Sequence, residues 1–165
     1  MHEKSIVLFN KAVASEMTAV HQYMYFHFHC EDQGYDLLAD LFMRIAIAEM
    51  NHLEICAERI LFLGGDVEMV ASDEVQKIND VEQMLVFARK LEEDAVMEYN
   101  KWANECSANA DSASRKIFEN LVDDEERHYD QFDLEMDKLK KFGDRYLALQ
   151  AIEGSKGLAA GAPAE

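Results

Sequence analysis

Proline occurs once among these 165 residues, as Pro163, so no such break interrupts a helix anywhere in residues 1–152. Nine methionines and a shortage of Val/Ile/Thr runs point the same way, toward an all-α fold. The length suits one domain with a real core. A composition of 49% hydrophobic and 30% charged residues is ordinary for a globular chain.

Caps and periodicity divide the chain into five helical segments. The first runs from Glu3 to Asp32 and stops near Gly34. The second runs from Asp36 to Gly64-Gly65. The third starts at Asn79, where Glu82 three residues on resembles a capping box, and ends near Ser107. The fourth spans Asp111 to Gly143. Asp144 then caps a short fifth helix, Arg145 to Ile152. Residues 1–152 thus form a four-helix bundle plus a short helix, and the Gly/Ala/Ser-rich residues 153–165 form a flexible tail. Short links join the first to the second segment and the third to the fourth, which makes each pair an antiparallel hairpin. The link between second and third is about 14 residues, long enough to cross a bundle. The expected arrangement is up-up-down-down with one long crossover.

Each long segment carries one apolar stripe with steps of three and four. They read Phe9, Val13, Glu16, Val20, Tyr23, His27, Cys30; then Leu38, Phe42, Ile45, Glu49, His52, Cys56; then Val81, Leu85, Ala88, Glu92, Ala95, Tyr99, Trp102; then Phe118, Leu121, Glu125, His128, Phe132. A carboxylate interrupts the middle of all four. Four facing acids without partners are very costly to bury, and each would raise the pKa of the others. Two divalent cations would offset their charge.

The spacing narrows the choice. Glu49-x-x-His52 and Glu125-x-x-His128 each put a carboxylate and an imidazole on one helix face. Glu49 follows Glu16 by 33 residues, and Glu125 follows Glu92 by the same 33. The two hairpins therefore carry equivalent ligand sets about a pseudo-twofold axis. One Glu from each of two helices and Glu-x-x-His from each of the other two is a di-metal carboxylate pattern. Oxygen and imidazole donors suit iron or manganese, and the lack of a thiolate disfavours a structural zinc.

The net charge of −17 argues against nucleic acid and anionic membranes as partners. It fits either plain solubility or attraction of cations. Cys30, Cys56 and Cys106 form no C-x-x-C pair and are odd in number, so a reducing cytoplasm is expected instead of a disulfide framework. No signal peptide is read at Met1-His2-Glu3-Lys4, and no stretch approaches the roughly 18 apolar residues of a membrane span.

With these motifs in hand, the chain resembles the bacterioferritins over nearly all of residues 1–152. The most specific pieces are Ser15-Glu16-Met17 with His21-Gln22-Tyr23, Glu49-Met50-Asn51-His52, Glu58-Arg59-Ile60-Leu61-Phe62-Leu63, Asp124-Glu125-Glu126-Arg127-His128, and Gly143-Asp144-Arg145-Tyr146-Leu147. The resemblance implies a ferritin-like four-helix bundle with one long crossover and a short C-terminal helix. It implies a homo-oligomeric 24-subunit shell built from twofold dimers. Such a shell oxidises Fe(II) with O2 or H2O2 and stores it as ferric mineral. Glu49 and Glu125 would bridge two irons; Glu16 with His52 would complete one, and Glu92 with His128 the other. Tyr23 matches a tyrosine beside that centre, read as a hydrogen-bond partner, an electron donor or a core aromatic. Met50 matches the axial ligand of a haem b or related iron porphyrin, one per two subunits at the twofold interface; otherwise it fills a dimer contact. A ferredoxin-type reductant is the implied partner for release.

The chain departs from some members of that family. A histidine and an aspartate on the inner face of their second helix correspond here to Arg44 and Ala48, which puts an extra iron site there in doubt. Cys56 reads as a small core residue or a redox group. His21, His27 and His29 read as relays or as ordinary hydrogen-bonders. Two rival functions stand beside iron storage. A rubrerythrin-like di-iron peroxidase would normally carry a four-cysteine segment, which this chain lacks. A DNA-protecting mini-ferritin would place ligands between subunits and tends to have a basic tail, whereas this tail has only Lys156.

Overall fold

The structure, a computed structural model, describes residues 2–161. Five helices follow one another: α1 (Glu3–Asp32), α2 (Asp36–Phe62), α3 (Val81–Ala108), α4 (Ser112–Phe142) and α5 (Asp144–Gly161). Among the described residues there is no strand, and no helix is long and apolar enough to cross a membrane.

Helix ends are set by backbone chemistry. At the end of α1, Gly34 takes φ +79° while Tyr35 N–H reaches back to Cys30 O at 2.8 Å and Gly34 N–H to Glu31 O at 2.9 Å. This paired closure satisfies carbonyls the helix would leave open. The end of α3 has the same closure, Asp111 N–H to Cys106 O at 2.9 Å, but the left-handed residue is Ala110 at φ +57°. A Cβ is disfavoured there. Ala110→Gly is expected to stabilise the protein by about 1 kcal/mol. A urea midpoint, at fixed protein concentration, that stays put or falls would contradict this.

Three expectations change. The cap of α3 is Asp80, whose carboxylate accepts from Gln83 N–H at 2.9 Å. Asn79 instead ties down the crossover, accepting from Tyr25 Oη at 3.0 Å through its side chain and from Gln33 Nε2 at 3.1 Å through its carbonyl. Second, α5 does not stop at Ile152 but continues to Gly161. No proline lies before 163, and a helical Gly costs about 1 kcal/mol, so Gly154 and Gly157 weaken the helix without ending it. Residues 162–165, the rest of the expected flexible tail, lie outside the described residues.

The third change is topology: the helices run up-down-down-up. The crossover travels beside α1 in α1's own direction. Asn10 Nδ2 donates to Asp66 O, Thr18 Oγ1 accepts from Ser72 N–H, and Gln22 exchanges two hydrogen bonds with the Gln76 backbone. This carries the chain back to the far end of α1, from which α3 must run antiparallel to α1. Contacts between helices agree. Tyr23 meets Glu92 while Tyr99 meets Glu16, and Arg59 meets Ser114 while His52 meets Asp124.

Packing divides the core in two. One half gathers Tyr23, Phe26, Phe42, Met84, Leu85 and Phe132; the other gathers Phe9, Val13, Ile60, Tyr99, Trp102 and Phe118. Phe9 and Phe118 stack at 4.4 Å between centroids. Burying a large apolar side chain contributes about 1.5–3 kcal/mol. The two halves together can therefore carry an expensive polar layer between them. The carboxylate-bearing turns of all four long helices occupy that layer.

Candidate metal centre

Glu16, Glu49, His52, Glu92, Glu125 and His128 all turn inward and are between 1% and 7% exposed. All six expected ligands therefore meet at one place. Each belongs to a stripe that is apolar above and below, so helix packing itself forces the acids together.

The contacts are ordered in a telling way. His52 Nδ1 lies 2.8 Å from Glu49 Oε2 and 3.0 Å from Glu125 Oε1. His128 Nδ1 lies 2.9 Å from Glu49 Oε1 and 3.2 Å from Glu125 Oε2. Glu49 and Glu125 thus each show one oxygen to either histidine. Glu16 and Glu92 sit further out, 3.8 Å from His52 Nδ1 and 3.7 Å from His128 Nδ1. Donor atoms of Glu16, Glu49, His52 and Glu125 lie within 4.8 Å of one another, and so do those of Glu49, Glu92, Glu125 and His128. These are two four-residue sets sharing both Glu49 and Glu125.

Both Glu49 oxygens, Glu125 Oε1 and His52 Nδ1 are buried without a hydrogen bond, despite those short separations. They approach at angles hydrogen bonds do not use and converge on common space. Buried polar atoms are nearly always paired, so four orphans at one point describe a cage for cations.

Electrostatics say the same. Burial, then the charges of Glu125 and Glu49, push the Glu16 carboxyl well above its ordinary range, against the pull of His52 and the Tyr99 hydrogen bond. Burial also lifts Glu92 to about 8, against its contact with His128. Burial opposes a charged imidazole, yet the nearby carboxylates of Glu125 and Glu49 overcome it. They raise His52 to about 10 and His128 to about 12. The site holds protons where it lacks a stronger cation.

Two tyrosines hold the outer acids. Tyr23 Oη donates to Glu92 Oε1, and Tyr99 Oη donates to Glu16 Oε1. Tyr23 was expected here. Tyr99 was read only as part of a stripe, although its signal was present: each tyrosine follows a ligand glutamate by seven residues, two turns along the same face. Asp124 is a second missed neighbour, its Oδ2 3.3 Å from His52 Nε2.

Other candidates separate cleanly. Met50 is 53% exposed and faces away from the acids, and Arg44 is exposed on the same helix. Cys56 is fully buried and its thiol is pushed well up by burial, then by Glu16 and Glu125, as suits a packing residue. Cys30 and Cys106 are likewise free and buried. His27 is a core hydrogen-bonder, Nδ1 to Ala39 O at 2.9 Å, and His21 is exposed. Solvent reaches the acids through a cleft of about 750 Å³ between α1 and α3, which Glu16, Glu49 and Glu125 line together with Asp73, Asp94 and Glu98.

The chain is similar to known proteins. Residues 6–142 match the ferritin-like domain family. The bacterioferritin of Desulfovibrio desulfuricans is 34% identical over 147 residues, which cover 88% of this chain and 81% of that protein. Its crystal structure, which describes a diiron site in different catalytic states, aligns with a TM-score of 0.88, covering 90% of this chain and 86% of that one at 32% identity. The bacterioferritin of Rhodobacter capsulatus, solved with a metal-free dinuclear site and heme iron, aligns at 0.86 and 30% identity, covering 90% and 93%. This chain belongs to the bacterioferritins, within the ferritin-like domain family.

Proposed function

We propose that this protein is a ferroxidase that stores the iron it oxidises. The observation that carries the reading is the pair of ligand sets sharing Glu49 and Glu125, with their orphaned oxygens. Iron is the substrate. Glu16 and His52 complete one position, and Glu92 and His128 the other. The four carboxylates match the charge of two Fe(II), which are held side by side for a two-electron reaction. Each Fe(II) gives up one electron. With hydrogen peroxide the products are two Fe(III) and two hydroxide ions; with dioxygen and two protons the second product is hydrogen peroxide. Tyr23 and Tyr99, kept protonated by burial and by the adjacent carboxylates, steady Glu92 and Glu16 as coordination changes.

Storage requires a cavity, and the reading includes a 24-subunit shell of twofold dimers in the cytoplasm, emptied by a ferredoxin-type reductant. Met50 fits a haem site at that twofold. It is a half-exposed thioether, with Ile47 exposed one turn earlier on the same face of α2. Met50 of two copies would hold one haem b or related porphyrin per two subunits, and that haem would supply electron transfer. Reconstitution with haem is expected to give a six-coordinate low-spin spectrum in the parent protein and not in Met50→Leu.

Aerobic stopped-flow titration of metal-free protein with Fe(II), followed by ferric absorbance, tests the main reading. A fast phase saturating at two irons per chain, then slower uptake, is expected. Saturation without further uptake would exclude storage and favour a non-storage oxidase or peroxidase.

A further inference from the structure

The bundle repeats itself at an offset of 76 residues: Glu16, Tyr23, Glu49 and His52 correspond to Glu92, Tyr99, Glu125 and His128. The six acid and imidazole groups of the centre and the two tyrosines all obey this repeat. The layer behind it does not. The residue preceding the shared glutamate is Asp124 on α4 but Ala48 on α2.

The difference lands on the histidines. Both imidazoles turn Nδ1 toward the acids, so both turn Nε2 away. His52 Nε2 faces Asp124 Oδ2 at 3.3 Å, and the other oxygen of Asp124 pairs with Arg127. His52 therefore donates Nε2–H to a fixed carboxylate. This selects the tautomer with its lone pair on Nδ1 and holds the ring plane. Ala48 has no polar atom to offer at the equivalent place, and among the described residues no protein acceptor meets His128 Nε2. One imidazole is preorganised and the other is not.

We propose that the two metal positions are unequal because of this break in the repeat. The Glu16/His52 position is the tight, resident one, with Asp124 as a positioning residue that acts through His52. The Glu92/His128 position is the weaker, more readily exchanged one. This rests on the two-metal reading above and adds an order of filling that the ligand list alone does not contain.

Cobalt(II) bound to the metal-free protein tests it without turnover, through ligand-field absorption and calorimetry. His52→Ala is expected to abolish the tight step, while His128→Ala retains it. Asp124→Ala is expected to weaken the tight step about 10–100-fold and leave the weaker one nearly unchanged. Ala48→Asp is expected to strengthen the weaker step by a similar factor, a gain that damage to the fold cannot produce. Repulsion between two bound ions separates the steps even in a symmetric site, but it makes His52→Ala and His128→Ala equivalent. Equal losses in those two variants, or no gain in Ala48→Asp, would overturn the inequality while leaving the two-metal reading intact. Failure of the parent protein to bind two cobalt ions would overturn both.

Discussion

Glu49→Gln is expected to slow the fast phase of Fe(II) oxidation at least a hundredfold. Glu49 shows one oxygen to each histidine, and neither oxygen has a hydrogen bond. A glutamine of the same shape keeps one oxygen and turns an NH2 toward the other half, so it cannot serve both metal positions. A hundredfold loss corresponds to about 2.7 kcal/mol of transition-state stabilisation, modest for breaking the link between two metals. Divalent metal should then raise the melting temperature of the parent far more than that of the variant. Oxidation by Glu49→Gln at the parent's rate would remove Glu49 from the centre.

Much of this site was legible because helical periodicity fixes which side chains share a face. Glu16, Glu49, Glu92 and Glu125 interrupt apolar stripes, and a stripe must be buried wherever its helix lands. The outward face of Met50 follows from the same geometry, one residue on from Glu49. What periodicity leaves out is the register between helices. Tyr23 and Tyr99 cross over to the acid of the other helix, Tyr23 to Glu92 and Tyr99 to Glu16. That pairing exists only once α1 and α3 run antiparallel. The up-up-down-down expectation failed at the same step. Connection lengths show that a crossover spans the bundle, but not what it runs beside. Asn10, Thr18 and Gln22 bind its backbone and decide that. Asp124 was hidden for a related reason: it flanks its stripe, and only the approach of α2 brings His52 within reach.

Without metal, the protein is expected to melt on the order of 10 °C higher at pH 5 than at pH 8, and divalent metal should reverse that order. Glu92 is lifted by burial to about 8 from 4.5, and Glu16 moves in the same direction. The folded state therefore grips these protons more tightly than the unfolded chain does. The contribution of Glu92 is fully present below about pH 4.5 and is lost as pH rises through 8, and Glu16 adds to the same slope. His52, raised to about 10, contributes stability that is complete below its unfolded value of 6.5 and fades as pH rises through 10. Both slopes run downhill with rising pH. Because the groups share partners, their combined loss between pH 5 and 8 is on the order of 2–4 kcal/mol, less than the separate shifts would sum to. At 2–4 °C per kcal/mol for a chain of this size, that gives roughly the stated drop. Asp111 sets the acid limit. Burial works against its charge, but hydrogen bonds from Ser114 and Ser5 and the Arg59 guanidinium hold it at about 2, so that contribution survives to low pH. Metal inverts the trend because its ligands must be deprotonated, and affinity rises as protons leave. Thermal melts at pH 5, 6.5 and 8, with and without cobalt(II), measure both slopes. A flat metal-free profile would mean that the four carboxylates do not repel one another, removing the electrostatic reason for two cations to sit among them.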